Sequence, residues 1–279
     1  MTFLQTCIAM VAFAANPLLC RLALREEQID AASFATVRVI SGALVLALIL
    51  LLQKNADYRP KASWSSTLML FTYMVLFSFA YLTLSAGTGT LILFGAVQLT
   101  MFITAIRRGE QFSPISWAGL TLAVAGLVYL VSPGVTAPDP AGALMMTVAG
   151  IAWGVYSLLG KACINPLAAT ANNFLFSIPL VMGVSLLFAG ELNISAKGLL
   201  LAATSGAIAS GLGYTIWYAA LRGLKPTSAA TVQLSVPAIA AFGGVLFLSE
   251  PLTLRLILAS AATLGGVAIV LTQRNQSLK

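Results

Sequence analysis

The sequence predicts an all-α integral membrane protein, with ten transmembrane helices in two inverted five-helix repeats around a central cavity. The first supporting observation is composition: the 279 residues are 59% hydrophobic and 8% charged, whereas soluble domains carry roughly 25% charged residues. The second is that apolar stretches long enough to cross a bilayer, which takes about 20 residues, alternate with short polar breaks. The third is a pattern in the first half of the chain that returns in the second half.

Turn-forming and charged residues divide the chain into ten predicted spans. The breaks between them, such as SPGVTAPDP at 132–140 and RGLKP at 222–226, contain the Gly, Pro and charged residues that are typical of loops. None of the breaks is long enough for a second soluble domain. The predicted spans are 3–22, 32–52, 64–84, 86–106 and 113–132 in the first half, and 141–161, 169–189, 197–220, 227–248 and 252–272 in the second.

The positions of lysine and arginine predict how these spans are oriented. With Met1 inside, the inside breaks and the C-terminal tail carry ten basic residues, and the outside breaks carry four. Because short cytoplasmic loops are enriched in basic residues, both termini are expected in the cytoplasm. The net charge of +7 is thereby attributed to membrane orientation, and no nucleic-acid partner is expected. The inside residues are Lys54, Arg59, Lys61, Arg107, Arg108, Lys161, Arg222, Lys225, Arg274 and Lys279, and the outside residues are Arg21, Arg25, Lys197 and Arg255.

The two halves of the chain share a pattern at an offset of 140 positions. The segment AFAANPLLCRLA at 12–23 matches AWGVYSLLGKAC at 152–163, and the same offset places Glu110 on Glu250. Since each half contains five spans, an odd number, the second half must be inserted upside down relative to the first. Inverted repeats are typical of secondary transporters, whose substrate site lies at the repeat interface. The shared Ala, Leu and Gly content of two apolar stretches is an alternative explanation. The predicted repeats, within one membrane domain, are residues 1–135 and 136–279.

Several of these features together resemble the drug/metabolite transporter superfamily, EamA type. They are the ten spans in two halves, a Glu after span four and after span nine, and the SEPLT motif at 249–253. The stretch FGAVQLTMFITAIRRGEQFSPISWAGLTLAVAGLVYL at 94–130 resembles the aromatic amino acid exporter branch. The resemblance implies a carrier in the bacterial inner membrane that exports amino acids by alternating access, with a cavity walled by spans one, three, four, six, eight and nine. The chain departs from this pattern in one spacing, which is 12 residues from Gln98 to Glu110 and 17 residues from Gln233 to Glu250.

Helical periodicity predicts which side chains face the cavity. Residues at i, i+4 and i+7 share one face of a helix, and on span six this face carries Trp153 and Tyr156. The same reasoning applies to spans one, three and eight, and a glutamine lies well inside each of spans four and nine. For the tyrosine at the end of span eight an aromatic belt at the membrane surface is an open alternative, as is an interhelical hydrogen bond for the glutamines. The candidate substrate-binding residues are Phe13, Asn16, Tyr73, Phe77, Tyr81, Gln98, Trp153, Tyr156, Tyr214, Trp217, Tyr218 and Gln233. The opposite, lipid-facing sides carry Val11, Ala15 and Leu18 on span one, Ile151, Val155 and Leu158 on span six, and Ile208, Leu212, Ile216 and Ala219 on span eight.

Two residues within the spans disturb the apolar pattern. Arg38 lies about two turns inside the outer end of span two, within snorkelling distance of water and of the acidic residues in REEQID at 25–30. A structural role and contact with a substrate carboxylate are both open for it. Pro237 lies four residues after Gln233, so it removes a helical hydrogen bond and should kink span nine.

The residue types that are missing narrow the chemistry. No Asp, Glu or His lies within a predicted span, which argues against an intramembrane proton relay and against a carrier of lipophilic cations. The lack of paired carboxylates and of a phosphate-binding loop argues against an enzyme and against ATP-driven transport. Cys7, Cys20 and Cys163 lack metal-ligand spacing, so no metal and no other cofactor is expected.

An amino acid fits the remaining requirements. Its zwitterion needs hydrogen-bond donors and acceptors without a fixed net charge, and aromatic walls suit an apolar or aromatic side chain. The expected partners are thus a small-molecule substrate, here an amino acid, and the lipid bilayer, and the sequence leaves the oligomeric state open with a monomer favoured. One alternative is a carrier of another metabolite, such as a nucleotide sugar, a purine or a drug-like compound, for which Arg38 and Lys161 are the available basic residues. The other is a non-transporting membrane scaffold or sensor, which would lack a water-filled cavity.

Overall fold

The structure, a computed structural model, describes residues 1–53, 61–160, 163–224 and 226–276. The helices are α1 Thr2–Arg25, α2 Ala31–Leu52, α3 Trp64–Ala80, α4 Ala86–Arg107, α5 Pro114–Val131, α6 Pro140–Gly160, α7 Pro166–Leu187, α8 Ala196–Thr204, α9 Gly213–Leu221, α10 Pro226–Gln233, α11 Ser235–Leu248 and α12 Leu254–Gln276. A π-helical turn, Ser205–Leu212, joins α8 to α9, and a 3₁₀ turn, Ala189–Glu191, follows α7. Of the basic residues counted for orientation, Lys54, Arg59, Lys161, Lys225 and Lys279 lie outside the described residues.

These helices confirm the predicted all-α membrane fold. Nine described segments are long and apolar enough to cross a membrane, and Trp64–Ala80 is a shorter apolar helix at the position of the third predicted span. Predicted span eight corresponds to α8, the π-helical turn and α9 together, and span nine corresponds to α10 and α11. Span three ends earlier than predicted, because the chain turns after Ala80, where the amide of Leu82 donates to the carbonyl of Phe79.

Side-chain caps set where several of the spans begin. One residue before each of α2, α4, α5, α7 and α8, a side chain accepts a hydrogen bond from a backbone N–H in the first turn. Such a cap satisfies a donor that the first turn of a helix leaves free. Proline begins α5, α6, α7 and α10, where its missing N–H costs nothing. The polar breaks seen in the sequence are therefore also the starts of the next helices. The capping residues are Asp30, Ser85, Ser113, Asn165 and Ser195.

Two spans are interrupted within the apolar part of the bundle. α10 ends at Gln233 and α11 begins at Ser235, with Pro237 in its first turn, so the helix is interrupted where this proline was predicted to kink it. The π-helical turn in span eight has no counterpart in the prediction. It packs closely on α2, as Gly206 shows: a Cβ added at Gly206 would collide with the carbonyl oxygen of Arg38.

Gly206→Ala is expected to destabilise the protein. The added methyl group would meet the Arg38 carbonyl and the Ser41 hydroxyl, which α2 holds in place. Overpacking of this kind costs roughly 1–3 kcal/mol, so the melting temperature in detergent should fall by several degrees. Gly183→Ala in α7 is the matched control, since no neighbouring atom lies within 4 Å of a Cβ built at Gly183. Equal melting temperatures for the two variants would contradict the close packing of span eight on α2.

The lipid-facing surface agrees only in part with the prediction. Val11, Ile151 and Ile208 are 58%, 45% and 55% exposed, as expected for side chains that face lipid. Leu158, predicted to face lipid, instead lines the central cavity, and Ile216 packs against the buried core. The reason is that α6 packs against both α3 and α4, and α9 against α1 and α7. A helix with neighbours on two sides leaves only a narrow stripe for lipid.

Candidate functional site

A cavity of about 990 Å³ runs into the middle of the helix bundle. Its walls come from α1, α3, α4, α6, α7 and α9, with further contributions from Gln233 of α10 and Leu271 of α12. All the spans that were expected to wall the cavity contribute to it, and α7 is an additional wall. Small-molecule sites enclose about 300–1,000 Å³, so this volume accommodates a solute of amino acid size together with water.

Aromatic rings from four helices form an ordered part of this wall. Trp153 is central: its ring centroid lies 4.8 Å from that of Tyr73 and 5.3 Å from that of Tyr156. A further stacked contact, at 5.5 Å, joins Trp153 to Tyr214, whose ring lies 5.6 Å from that of Phe13. Ring pairs at these separations stabilise one another beyond the area that they bury, so they present a well-defined apolar surface. The aromatic cluster, as we use the term, consists of Phe13, Tyr73, Phe77, Trp153, Tyr156, Tyr214 and Trp217.

Most of the candidate residues line this cavity, but two do not. Tyr81 is fully buried, and its hydroxyl lies 3.1 Å from Thr90 Oγ1. Gln98 lines a separate cavity of about 90 Å³ between α4, α5 and α12. At about 100° per residue, Gln98 lies roughly 80° around α4 from Thr90, which does line the central cavity, and it therefore points toward α5 and α12. The candidates that line the cavity are Phe13, Asn16, Tyr73, Phe77, Trp153, Tyr156, Tyr214, Trp217, Tyr218 and Gln233.

Polar side chains of α7 complete the wall and were not among the candidates. The Tyr156 hydroxyl donates to Thr170 Oγ1 at 3.3 Å, and Thr170 Oγ1 lies 2.8 Å from the Tyr218 hydroxyl. Asn173 Nδ2 donates to the Tyr156 hydroxyl at 3.4 Å. The sequence does carry a signal for this wall, because TANN at 170–173 places three polar residues within four positions of an apolar span.

The cavity opens at one end of the bundle, which we call the Glu110 end. Lys61, Ser63, Arg108 and Glu110 line the cavity there, and all four are exposed. Lys161, which the sequence offered as a cavity-facing basic residue, lies outside the described residues. The basic side chains of the described lining thus lie at the mouth and not beside the aromatic cluster.

The opposite end of the bundle, the Glu250 end, is closed by a charged contact. Arg21 Nε lies 3.4 Å from Glu250 Oε1, and the two side chains are only 16% and 8% exposed. Arg21 Nη1 also donates to the carbonyls of Tyr81 and Leu82, at 3.0 and 2.9 Å. Glu250 Oε2 accepts from the amide of Ala86 at 2.9 Å. These five residues form what we call the closing layer, which ties α1 to the start of α4 and to the segment after α11.

A buried polar network lies behind the aromatic cluster. Asn16 Oδ1 accepts from Ser205 Oγ at 2.8 Å and from Ser210 Oγ at 3.3 Å. Ser210 Oγ also lies 3.5 Å from Arg38 Nη2, and Nη2 donates to the Tyr73 hydroxyl at 3.1 Å. Both serines belong to the π-helical turn. This turn therefore connects a cavity-lining amide on α1 to the guanidinium on α2.

Arg38 is fully buried, so the prediction that it snorkels toward water is wrong. Two of the acidic residues that were expected as its partners bond elsewhere. The Asp30 side chain caps α2 by accepting from the Ser33 amide, and Glu26 pairs with Lys197. Closeness in sequence put these carboxylates within reach, but capping the helix and joining the loops takes them away from Arg38.

The described residues offer hydrogen-bonding and apolar groups to a ligand, and no metal centre. No three of their Cys, Asp and Glu side chains form a group that could hold a metal ion. The cysteines are free: Cys20 is buried, Cys7 is exposed, and Cys163 is half-buried at the mouth of the cavity. The cavity can therefore recognise a solute by its shape, its apolar surface and its hydrogen-bonding groups.

Comparison with known proteins relates the chain to one family. The sequence model of the EamA-like transporter family matches residues 1–132 and, separately, residues 140–272. An uncharacterized protein of Pseudomonas aeruginosa is 47% identical over 273 residues, which cover 98% of this chain and 95% of that protein. The threonine/homoserine exporter RhtA of Escherichia coli is 28% identical over 169 residues, or 59% of this chain and 57% of the exporter. One solved crystal structure, 18% identical in sequence, shares the fold with a TM-score of 0.67 over 95% of this chain and 97% of its own.

Proposed function

The chain belongs to the EamA-like transporter family and is a multi-pass membrane protein, and from this premise we propose that it is a secondary transporter that exports amino acids across the bacterial inner membrane by alternating access. One observation carries the proposal. The cavity opens at the Glu110 end, while the closing layer ties the helices together at the Glu250 end. A carrier exposes its site to one side of the membrane at a time, and a cavity that opens at one end of the described bundle while the other end is tied together is what one of its two states requires.

The chemistry of the cavity supports a zwitterionic substrate of amino acid size. The aromatic cluster supplies apolar walls, and Asn16, Asn173 and Gln233 supply amide donors and acceptors without net charge. The relative named as a threonine/homoserine exporter supports the same substrate class. A nucleotide sugar carries two phosphates and would require several cationic groups beside them, whereas Lys61 and Arg108 lie at the exposed mouth and Arg38 is a single guanidinium behind the aromatic cluster.

We also propose that the two halves, residues 1–135 and 136–279, are inverted repeats of one five-helix unit. The separate matches of a single family model to residues 1–132 and 140–272 support this division. Under the proposal Arg21 belongs to the first repeat and Glu250 to the second, so their ion pair joins the halves. Separation of the halves at that end would open the cavity to the opposite side.

Orientation can be tested by labelling, and we propose that both termini and the Glu110 end face the cytoplasm. Single cysteines at Gln111 and Leu252, which lie beside the corresponding positions Glu110 and Glu250 of the two repeats, should react with an impermeant thiol reagent from opposite faces in a variant without native cysteines, Gln111 from the cytoplasm. Both side chains are exposed, whereas Glu250 lies in a buried ion pair and is unsuitable. Reaction of both from one face would contradict the inverted repeat, and a reversed pattern would contradict the orientation alone.

Counterflow in liposomes tests the substrate class. Purified protein is reconstituted into vesicles loaded with unlabelled solute, and entry of the labelled solute is followed. We expect exchange for at least one of threonine, leucine and phenylalanine, and none for glucose or uracil. Exchange of the sugar or the nucleobase without any amino acid would contradict the proposed substrate. The absence of all exchange, in vesicles that contain folded protein, would contradict transport itself.

A pH gradient alone should not drive accumulation in these vesicles. A proton-coupled carrier needs a titrating group that can exchange protons with both sides of the membrane. Within the described lining, the acidic residue is Glu110, which is exposed at the mouth. We therefore expect the same counterflow with and without an imposed pH gradient. Accumulation several-fold above equilibrium, driven by the pH gradient alone, would overturn this expectation.

A further inference from the structure

Arg38 carries a positive charge in the interior of the helix bundle. Its side chain is fully buried, and Nε and Nη1 donate to no acceptor in the described part of the chain. Nη2 donates to the hydroxyl of Tyr73 and approaches that of Ser210, and both of these groups are neutral. Neither of the two ion pairs found among the described residues includes Arg38.

Two aromatic rings compensate this charge in part. The guanidinium carbon lies 4.6 Å from the ring centroid of Phe77 and 5.5 Å from that of Tyr73. Such cation–π contacts stabilise an arginine, but they leave N–H donors unused. In a membrane interior, both an unpaired charge and unpaired donors are costly, and arginines found there face partners or solute pathways. The free donors of Arg38 are therefore available to a partner outside the described part of the chain, such as a solute.

The position of Arg38 connects it to the substrate cavity. Tyr73 and Phe77, the rings beside the guanidinium, both line the cavity. Ser210, which approaches Nη2, also donates to Asn16, another lining residue. The guanidinium is thus separated from the solute space by a single layer of side chains.

We propose that Arg38 binds the carboxylate of the transported solute, in a subsite that opens when the rings of Tyr73 and Phe77 move aside. This inference rests on the proposed function and adds a requirement to it, a free carboxylate on the substrate. The planar N–H groups of arginine match the two oxygens of a carboxylate, and Nε and Nη1 have donors to spare. An amino acid would then place its carboxylate at Arg38 and its side chain against the aromatic cluster.

Arg255 shows how an arginine with a structural role uses its donors in the same protein. Its Nη1 donates to the carbonyls of Ser132 and Leu130, at 2.6 and 3.4 Å, and its Nη2 to that of Pro133 at 3.4 Å. Those contacts join α12 to the end of α5. Arg38 has no comparable set of backbone acceptors among the described residues, and this contrast makes Arg255 a suitable control.

The test compares carboxylates with the corresponding amides, in which an uncharged group replaces the carboxylate. The melting temperature of the purified protein in detergent is titrated with leucine, threonine and phenylalanine, with the three amino acid amides, and with phenylacetate and phenylacetamide. For the wild type, the half-saturating concentration should be at least about tenfold lower for a carboxylate than for its amide. Arg38→Met removes the charge, and Arg38→Lys keeps the charge but removes the planar guanidinium. Each substitution should abolish most of the preference for the carboxylate. Arg255→Gln should preserve it.

The inference would be overturned by equal stabilisation of the wild type by acids and amides, by no stabilisation with any of the carboxylates, or by an unchanged preference in Arg38→Met. Without ligand, Arg38→Met should melt no lower than the wild type, because it replaces an unpaired buried charge with an apolar side chain. A large fall in melting temperature for both Arg38 variants would identify a structural arginine and would also overturn the inference.

Counterflow with the same preparations separates the carboxylate subsite from the proposed transport function. Wild-type protein that binds carboxylates through Arg38 but carries no amino acid would contradict the proposed function and leave the carboxylate subsite standing.

Discussion

Trp153→Ala should reduce amino acid counterflow about thirtyfold or more. Trp153 contacts Tyr73, Tyr156 and Tyr214 and lines the cavity, so its loss removes both a solute-contacting surface and the support of three neighbouring rings. Truncation of a central aromatic anchor in a binding site costs about 2 kcal/mol or more, which corresponds to roughly thirtyfold in affinity. The measurement is the initial rate of counterflow, normalised to the amount of folded protein in the vesicles.

Ile151→Ala is the matched control for this variant, because it shortens a large side chain two residues away on the same helix. Ile151 is 45% exposed on the outer surface of α6, and its truncation should leave counterflow close to that of the wild type. Trp217→Ala, which removes a largely buried ring of the cluster from α9, should behave like Trp153→Ala. Equal losses for Trp153→Ala and Ile151→Ala would contradict the assignment of the cavity as the transport path.

Glu250→Gln should open the cavity to the Glu250 end. The substitution keeps an oxygen that can accept from the Ala86 amide and removes the charge that pairs with Arg21. Breaking a largely buried ion pair leaves Arg21 uncompensated, and we expect a shift of roughly 1–3 kcal/mol toward the oppositely open state, or about 5–150-fold in its population. A cysteine at the cavity-lining position Phe94 reports the shift. Its labelling by an impermeant reagent from the Glu250 side should rise at least about tenfold.

Lys197→Gln provides the control for this experiment, because it breaks the other ion pair found among the described residues. Lys197 and Glu26 are 52% and 40% exposed, and exposed pairs contribute only about 0–1 kcal/mol. Labelling at Phe94→Cys should therefore stay at its background level when Lys197 is changed. The Phe94→Cys protein with both ion pairs intact should label weakly from the Glu250 side. Strong labelling of that protein would mean that the closing layer does not close the cavity.

Much of the fold could be predicted because a bilayer makes composition decisive. An apolar stretch of sufficient length forms a helix, since no water is present to satisfy its backbone groups. Capping residues such as Asp30 and Ser113, and a proline at the first helical position such as Pro166, then set where helices begin. The break near Pro237 was predictable for the same local reason, since a missing N–H acts on its own helix.

The site could be predicted only where its signal lies within one helix. Trp153 and Tyr156 share a helical face, and both line the cavity. Gln98 was a candidate because it lies well inside span four, yet it turns toward α5 and α12, because its direction depends on which neighbours pack around α4. The surroundings of Arg38 were unpredictable for a related reason. They are built from α3 and the π-helical turn, which meet α2 only in the folded chain.

The π-helical turn at Ser205–Leu212 also determines how α9 is rotated about the axis of span eight relative to α8. Such a turn holds an additional residue compared with an α-helix, and because its residues advance by less than the 100° of an α-helix, the extra residue is absorbed without rotating the helix that follows. Tyr214 and Trp217 come directly after it and line the cavity. A deletion of one residue at 205–212 would therefore convert the turn to regular α-helix and leave both rings facing the solute, but it would displace the serines of the turn from Asn16 and Arg38. A length change at this turn is therefore an evolutionary route to altering the polar network behind the aromatic cluster, one that an inventory of lining residues would not reveal.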